Sequence, residues 1–153
     1  MSERGAPGRW MAGRRGLGGL LAVTLVRPVA AERLPLSEAL RSHAGGAAIR
    51  EGRVTLEIPP LVENGNTVPL LVSVESPMTE ADFVRSIAVF NERNPQPNVI
   101  TAQIGPRAGR ARLSTRIRLA TSQRIVAVAE MSDGSLWSGS AEVIVTLAAC
   151  VEG

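Results

Sequence analysis

Apolar and polar residues alternate over residues 53–58, which puts Val54, Leu56 and Ile58 on one face of a strand. Pro59-Pro60 ends it, because proline cannot donate to a β-ladder. Glu63-Asn64-Gly65-Asn66 predicts a turn made of residues that tolerate positive φ. Further strands are expected over residues 68–75, 83–90 and 99–104, with Phe83, Arg85, Ile87 and Val89 sharing one side of the second. Asn94-Pro95-Gln96-Pro97-Asn98 between the last two reads as a rigid loop. Residues 111–119 alternate strictly: Ala111, Leu113, Thr115, Ile117 and Leu119 face one way, and Arg112, Arg116 and Arg118 the other. A Val- and Ala-rich segment, 123–131, leads into Ser132-Asp133-Gly134-Ser135, where Asp-Gly is a strong hairpin signal. Residues 136–138 and 140–147 complete the series. Ahead of the strands, residues 34–42 carry Leu36, Ala39 and Leu40 at helical spacing, and Gly45-Gly46 stops the helix. His43 is expected at that stop, where an imidazole can interact with the last carbonyls.

About seven short strands with regularly spaced turn signals predict an all-β chain, an immunoglobulin-like β-sandwich with a short N-terminal helix. An intersheet disulfide is excluded, because Cys150 is the one cysteine. Packing alone must join the sheets.

Residues 1–31 do not fit this pattern. Arg14-Arg15 precedes a Gly-rich apolar run from Gly16 to Val26, and Val29-Ala30-Ala31 ends in small residues. This order of charged region, short apolar region and small-residue exit is that of a secretory signal. The apolar run is about 11 residues, well short of the roughly 20 that span a bilayer, so no membrane span is expected. The paired arginines and weak hydrophobicity point to the twin-arginine route and a periplasmic address. The expected organisation is a twin-arginine-type signal peptide over 1–31, a β-sandwich domain over 32–147 and a cysteine-bearing arm over 148–153.

The leader also changes the meaning of the charge. The chain carries 17 basic residues against 14 acidic ones, for a net charge of +3. Without residues 1–31 there remain 12 Arg and 13 acids, so the domain has no basic excess for a phosphate backbone. Trp137, Phe83 and Phe90 are the aromatics left for stacking on bases. Nucleic acid is therefore not an expected partner.

Catalytic chemistry is equally hard to assemble. With one His and one Cys, a multi-histidine or four-thiolate metal centre is excluded within the chain, and no cofactor is expected. Asp82, Glu92, Glu130 and Asp133 are scattered, with no spacing that pairs an acid with a base. No serine sits in a Gly-x-Ser-x-Gly elbow, and His43 would be the sole imidazole base. The glycines at 16–19 and 45–46 lack the strand-to-helix context of a phosphate loop. Arg112, Arg116 and Arg118 read either as a solvated sheet face or as a patch for an acidic partner.

Cys150 lies three residues past the last strand, in Ala148-Ala149-Cys150-Val151-Glu152-Gly153. Residues beyond a sheet are ordered only when tied down, so an accessible thiol is the natural expectation. An odd cysteine in an exported chain is a reactive thiol, an intermolecular disulfide or lipid link, or an idle residue. No base stands beside it in sequence, so a reactive thiol here depends on a partner enzyme for activation.

Several stretches resemble the SoxY family, the sulfur-carrier subunits of the periplasmic thiosulfate-oxidising Sox system. They are Ile58-Pro59-Pro60 through Glu63-Asn64-Gly65 and Val68-Pro69, then Ser86-Ile87-Ala88-Val89-Phe90 with Asn94-Pro95-Gln96-Pro97. The most specific are Ser114-Thr115-Arg116-Ile117-Arg118-Leu119-Ala120 and the run from Val126 to Trp137. The resemblance implies a sandwich that forms a heterodimer with a SoxZ-like subunit and carries sulfur intermediates on Cys150. It implies three enzymatic partners: a haem-containing sulfur-conjugating enzyme, a sulfate-releasing hydrolase and a molybdenum-containing sulfane dehydrogenase. The carrier itself would catalyse nothing.

The arm departs from the family pattern, Gly-Gly-Cys-Gly-Gly. Ala148 and Ala149 precede the thiol, and Val151, Glu152 and Gly153 follow it. Glycine flanks make an arm slim and pliant, whereas Val151 adds β-branched bulk and Glu152 sets a negative charge beside an anionic cargo. Besides the carrier, the alternatives are a divergent paralogue with another cargo and a non-catalytic interaction subunit.

Overall fold

The structure, a computed structural model, describes residue 18 and residues 33–147. In chain order residues 33–147 form α1 (Leu36–Ala44), β1 (Ile49–Glu51), β2 (Val54–Glu57), β3 (Leu61–Asn64), β4 (Val68–Val74), β5 (Val84–Asn91), β6 (Asn98–Gln103), β7 (Ala111–Ile117), β8 (Gln123–Met131) and β9 (Leu136–Leu147). One sheet runs β1-β9-β8-β5-β6, and β3 joins it along the far half of β9. The other is β2-β4-β7. This is the immunoglobulin-like sandwich expected from the sequence. Between the sheets Val68, Leu70 and Val72 of β4 pack with Ile87 and Val89 of β5, Ile125 and Ala127 of β8, and Val143 of β9. Each large aliphatic side chain buried there contributes about 1.5–3 kcal/mol.

The strand sequences record what covers each face. β8 and β5 are almost continuously buried, because one face meets the second sheet and the other meets α1. Leu36, Ala39, Leu40 and Ala44 of the helix pack over Ala88, Phe90, Val126, Val128 and Leu136. β7 belongs to the sheet whose outer face is bare, so it keeps its alternation. Arg112, Arg116 and Arg118 all point to solvent. Gly139 on β9 faces the crossing of β2, where a Cβ would overlap the Val54 carbonyl. The two sheets can approach there only because the side chain is absent.

Five expectations are corrected. Among the described residues there are nine strands, because the short β1 and β3, each pairing in parallel with β9, carry no alternation long enough to read. Residues 136–147 are one continuous strand. Arg85 is exposed and pairs with Glu130 at 3.6 Å, since the ladder register shifts between Val84 and Ser86 and turns it away from Ile87 and Val89. Neither Asn64 nor Gly65 has positive φ: Gly65 is buried, and Asn64 closes its turn by accepting the Asn66 N–H at 2.9 Å. The helix is offset by two residues, and His43 lies inside its last turn. There its ring meets Phe90 edge-on, with centroids 5.2 Å apart.

Candidate functional site

The last residues of β9 are held from three sides. Ile144, Val145 and Leu147 lie in register with Leu61, Val62 and Asn64 of β3. The Ile144 N–H donates to the Pro60 carbonyl at 2.9 Å, and the Gly65 N–H donates to the Leu147 carbonyl at 3.2 Å. From the β7–β8 connection, Ser122 Oγ accepts the Val145 N–H at 2.8 Å and donates to the Val145 carbonyl at 3.3 Å. The Thr146 hydroxyl reaches the Glu63 carbonyl at 3.3 Å. Gly65 links the clamp to the core, its carbonyl accepting the Leu119 N–H at 2.8 Å. The Pro59-Pro60 and Glu63-Asn64-Gly65 stretches therefore fasten the end of β9.

Cys150 and its flanks Ala148, Ala149, Val151, Glu152 and Gly153 lie outside the described residues, as does the leader over 1–31 apart from Gly18. The side chains at the end of β9 and beside it on β3 are apolar and exposed: Leu61 at 61%, Ile144 at 59% and Leu147 at 66%.

The other family-like stretches also converge. Ile58, Pro59, Pro69, Leu71, Ser114 and Arg116 line an open groove of about 640 Å³ on the outer face of the three-stranded sheet. Asn94, from the Asn-Pro-Gln-Pro loop, accepts the Ala120 N–H at 2.9 Å and the Gln123 Nε2–H at 2.7 Å through Oδ1. Its Nδ2 donates to the Arg118 carbonyl at 2.6 Å. The loop thus braces the β7–β8 connection, from which Ser122 grips β9.

The carboxylates stay apart. Glu92 Oε2 accepts the Arg124 N–H at 3.3 Å, Glu130 faces Arg85, and Asp133 accepts from both the hydroxyl and the N–H of Ser135, at 2.6 and 2.9 Å. Those bonds, chiefly from the Ser135 side chain, hold the Asp133 carboxyl below its ordinary 3.8. Asp82 contributes its backbone carbonyl to a turn with Thr79 and Ser76. No group of three or more His, Cys, Asp or Glu side chains that could hold a metal comes together among the described residues. No described helix is long and apolar enough to cross a membrane.

Two features escaped the sequence reading. The Ser122 grip had no signal, since a serine in a loop is unremarked. The stacking of Arg50 and Arg53 on Trp137, at 5.6 and 4.8 Å from the ring centroid, was foreshadowed only by an arginine on either side of Gly52.

Comparison with known proteins gives the family and the fold. The family described as "Sulfur oxidation protein SoxY" matches residues 40–150, a span that reaches Cys150. The solved sulfur carrier protein SoxY from Chlorobium limicola f thiosulfatophilum is similar with a TM-score of 0.62 and 28% identity, over 73% of this chain and 96% of that one. Superoxide reductases share the fold alone. The neelaredoxin from Ignicoccus hospitalis has a TM-score of 0.55 at 19% identity, over 61% of this chain and 80% of its own. The enzyme from Nanoarchaeum equitans has 0.51 at 11%, over 63% and 100%. No curated protein matches the chain. Its sandwich and the match across 111 residues, from 40 to 150, make this chain a member of the SoxY family of sulfur oxidation proteins.

Proposed function

We propose that this chain carries sulfur intermediates covalently on Cys150 during periplasmic thiosulfate oxidation, as one subunit of a heterodimer with a SoxZ-like protein. The observation that carries the reading is a family match running through to Cys150. The clamp on β9 supports it: a strand fastened up to the Leu147 carbonyl gives a following segment a fixed origin from which to enter other proteins. Residues 1–31 would serve as the twin-arginine signal and be removed on export.

The chemistry needs little from this body. When the Cys150 thiol joins the outer sulfur of thiosulfate, one S–S bond forms, one proton leaves to solvent and two electrons pass to a haem-containing partner enzyme. A hydrolase then adds water across the sulfane–sulfonate bond, releasing sulfate and leaving a persulfide. A sulfane dehydrogenase then takes six electrons from the outer sulfur, which gains three oxygens from water with release of protons, and hydrolysis of the remaining S–S bond frees a second sulfate and returns the Cys150 thiol. The thiol is nucleophile in the first step and leaving group in the last, so the carrier is not an enzyme.

The test is to incubate the heterodimer with thiosulfate and the haem-containing conjugating enzyme and weigh the intact subunit. A mass increase of one thiosulfonate, absent from Cys150→Ala, is expected. No cysteine-dependent adduct with all partners active overturns the reading. The altered flanks favour a second one, an interaction subunit with an idle cysteine. Unchanged sulfur oxidation by cells bearing Cys150→Ala would select it. Lost oxidation with SoxZ-like binding intact would select the carrier.

A further inference from the structure

Trp137 packs against the core at the β1 end of β9 and is half-buried. Arg50 lies beside it in the parallel β1–β9 register, and its guanidinium carbon is 5.6 Å from the ring centroid. The chain then crosses from one sheet to the other through Gly52, at φ 126, and Arg53, at φ 58. That crossing brings the Arg53 guanidinium carbon to 4.8 Å from the same centroid. A left-handed conformation is costly for a long side chain, and such residues concentrate at sites where geometry matters. Gly52 passes against the ring, with its Cβ position 3.5 Å from the indole. The indole edge is fixed as well: Nε1–H donates to Ser135 Oγ at 3.2 Å, and that hydroxyl donates to Asp133 Oδ1 at 2.6 Å.

Both arginines are exposed. Among the described residues neither has a carboxylate within 4.0 Å; the ion pair found there is Arg85 with Glu130. The acidic neighbours have other ties. Asp133 is bonded by Ser135 and feels Arg53 only as a weaker charge neighbour, and Glu75 meets Arg53 through the backbone, its N–H donating to the Arg53 carbonyl at 2.8 Å.

We propose that Arg50, Trp137 and Arg53 form a docking point for a carboxylate-bearing segment of a partner protein. Each guanidinium is a planar fork that matches a carboxylate, and the indole between them offers apolar area to the aliphatic stem of an acidic residue. Trp and Arg are the residue types that dominate binding at protein interfaces. A small free oxyanion fits poorly, because exposed arginines with no buried donor beside them do little to replace its water. Cargo on the chain's own Cys150 fits no better. Ten ladder positions separate Trp137 from Leu147, about 33 Å, and three further residues return at most about 11 Å of that. The surface therefore recognises a partner's body, and it does so whether or not Cys150 carries sulfur.

The test uses the full-length chain carrying Cys150→Ala, so that neither sulfur loading nor disulfide pairing bears on the result. The probe is a synthetic peptide of alternating Glu and Ala, and the readout is the indole N–H resonance of Trp137, assigned with Trp137→Phe. A saturable shift is expected. The same peptide with Gln for Glu should give none, and about 0.5 M salt should weaken binding at least tenfold. Arg50→Ala and Arg53→Gly should each weaken it about tenfold. Arg53→Gly suits the left-handed backbone, so its melting temperature should not fall, and lost binding cannot then be ascribed to unfolding. The proposal is overturned by no shift, by an equal shift from the Gln peptide or from sodium sulfate, or by parental affinity in both arginine variants.

Discussion

Asn94 and Gln123 are joined side chain to side chain, the Gln123 Nε2 donating to the Asn94 Oδ1 at 2.7 Å. They belong to connections 29 residues apart in sequence, the Asn-Pro-Gln-Pro loop and the start of β8. Gln123 is 3% exposed, so its amide needs partners within the protein. Its Oε1 accepts the Arg93 N–H at 2.9 Å, and its Nε2 also donates to the Thr121 carbonyl at 3.0 Å. A satisfied polar network of this kind fixes where two loops sit, and one of these loops delivers Ser122 to the end of β9.

Asn94→Ala is expected to destabilise the fold by about 2–3 kcal/mol, because it strips partners from the Ala120 N–H, the Arg118 carbonyl and the buried Gln123 amide together. Urea unfolding gives the number directly. A loss below about 0.5 kcal/mol would mean that water replaces the asparagine without strain and that the network positions nothing.

Gly139→Ala should cost more than a methyl added at a glycine whose Cβ position is open. The new Cβ meets the Val54 backbone, which cannot rotate away as a side chain would. Relief requires the sheets to separate around Val54, at a cost of about 1–3 kcal/mol. Gly134→Ala makes the comparison, since it adds a methyl in open space and suffers only from its φ of 83. Equal melting temperatures for the two variants would contradict the close approach of the sheets.

What could be read from the sequence follows from which faces are covered. β7 and β2 alternate because one side is bare, so period and burial coincide. β5 and β8 are covered by α1 on their second face, so the alternation read into residues 83–90 misplaced Arg85, while the Val and Ala content of residues 123–131 still marked β8 as a strand. β1 and β3 are only three and four residues long and exist because β9 is there to pair with, which is tertiary information. The same distinction holds at the site. Cys150 stood out as the one thiol, whereas the hold on the end of β9 runs from its backbone to a loop serine hydroxyl at Ser122 and to the backbone of Gly65 and Pro60, none of which carries a local signature.

Acid should act on the Asp133–Ser135 turn. The Asp133 carboxyl is held below its ordinary 3.8 by the Ser135 hydroxyl, by the Ser135 N–H and, more weakly, by Arg53. A carboxyl depressed on folding stabilises the folded state above its unfolded value, and that contribution is lost as pH falls through the folded value. Melting temperatures measured from about pH 6 to about pH 2 should therefore separate the wild type from Ser135→Ala above pH 4 and converge at the acid end. Parallel curves over the whole range would show that the turn contributes no pH dependence. Asp133→Asn should retain the backbone bond through its amide oxygen and lose the acid slope.

The flanks of Cys150 make the last prediction, which rests on the carrier reading. Val151 and Glu152 stand where the family pattern has glycines. β-Branching restricts the backbone next to the thiol, and a carboxylate repels a thiosulfonate, whereas glycine removes both effects at once. The double variant Val151→Gly with Glu152→Gly should load thiosulfate about tenfold faster with the haem-containing enzyme of a system whose own carrier ends Gly-Gly-Cys-Gly-Gly, a gain of about 1.4 kcal/mol in the barrier. Its melting temperature should stay within a degree or so of the parent, because both residues follow the clamp that ends at Leu147. Time courses of adduct mass decide the matter. Faster loading by the double variant assigns the flanks to the fit between this tip and that enzyme. Equal loading overturns the prediction and shows that the enzyme accepts Val151 and Glu152 as readily as glycine.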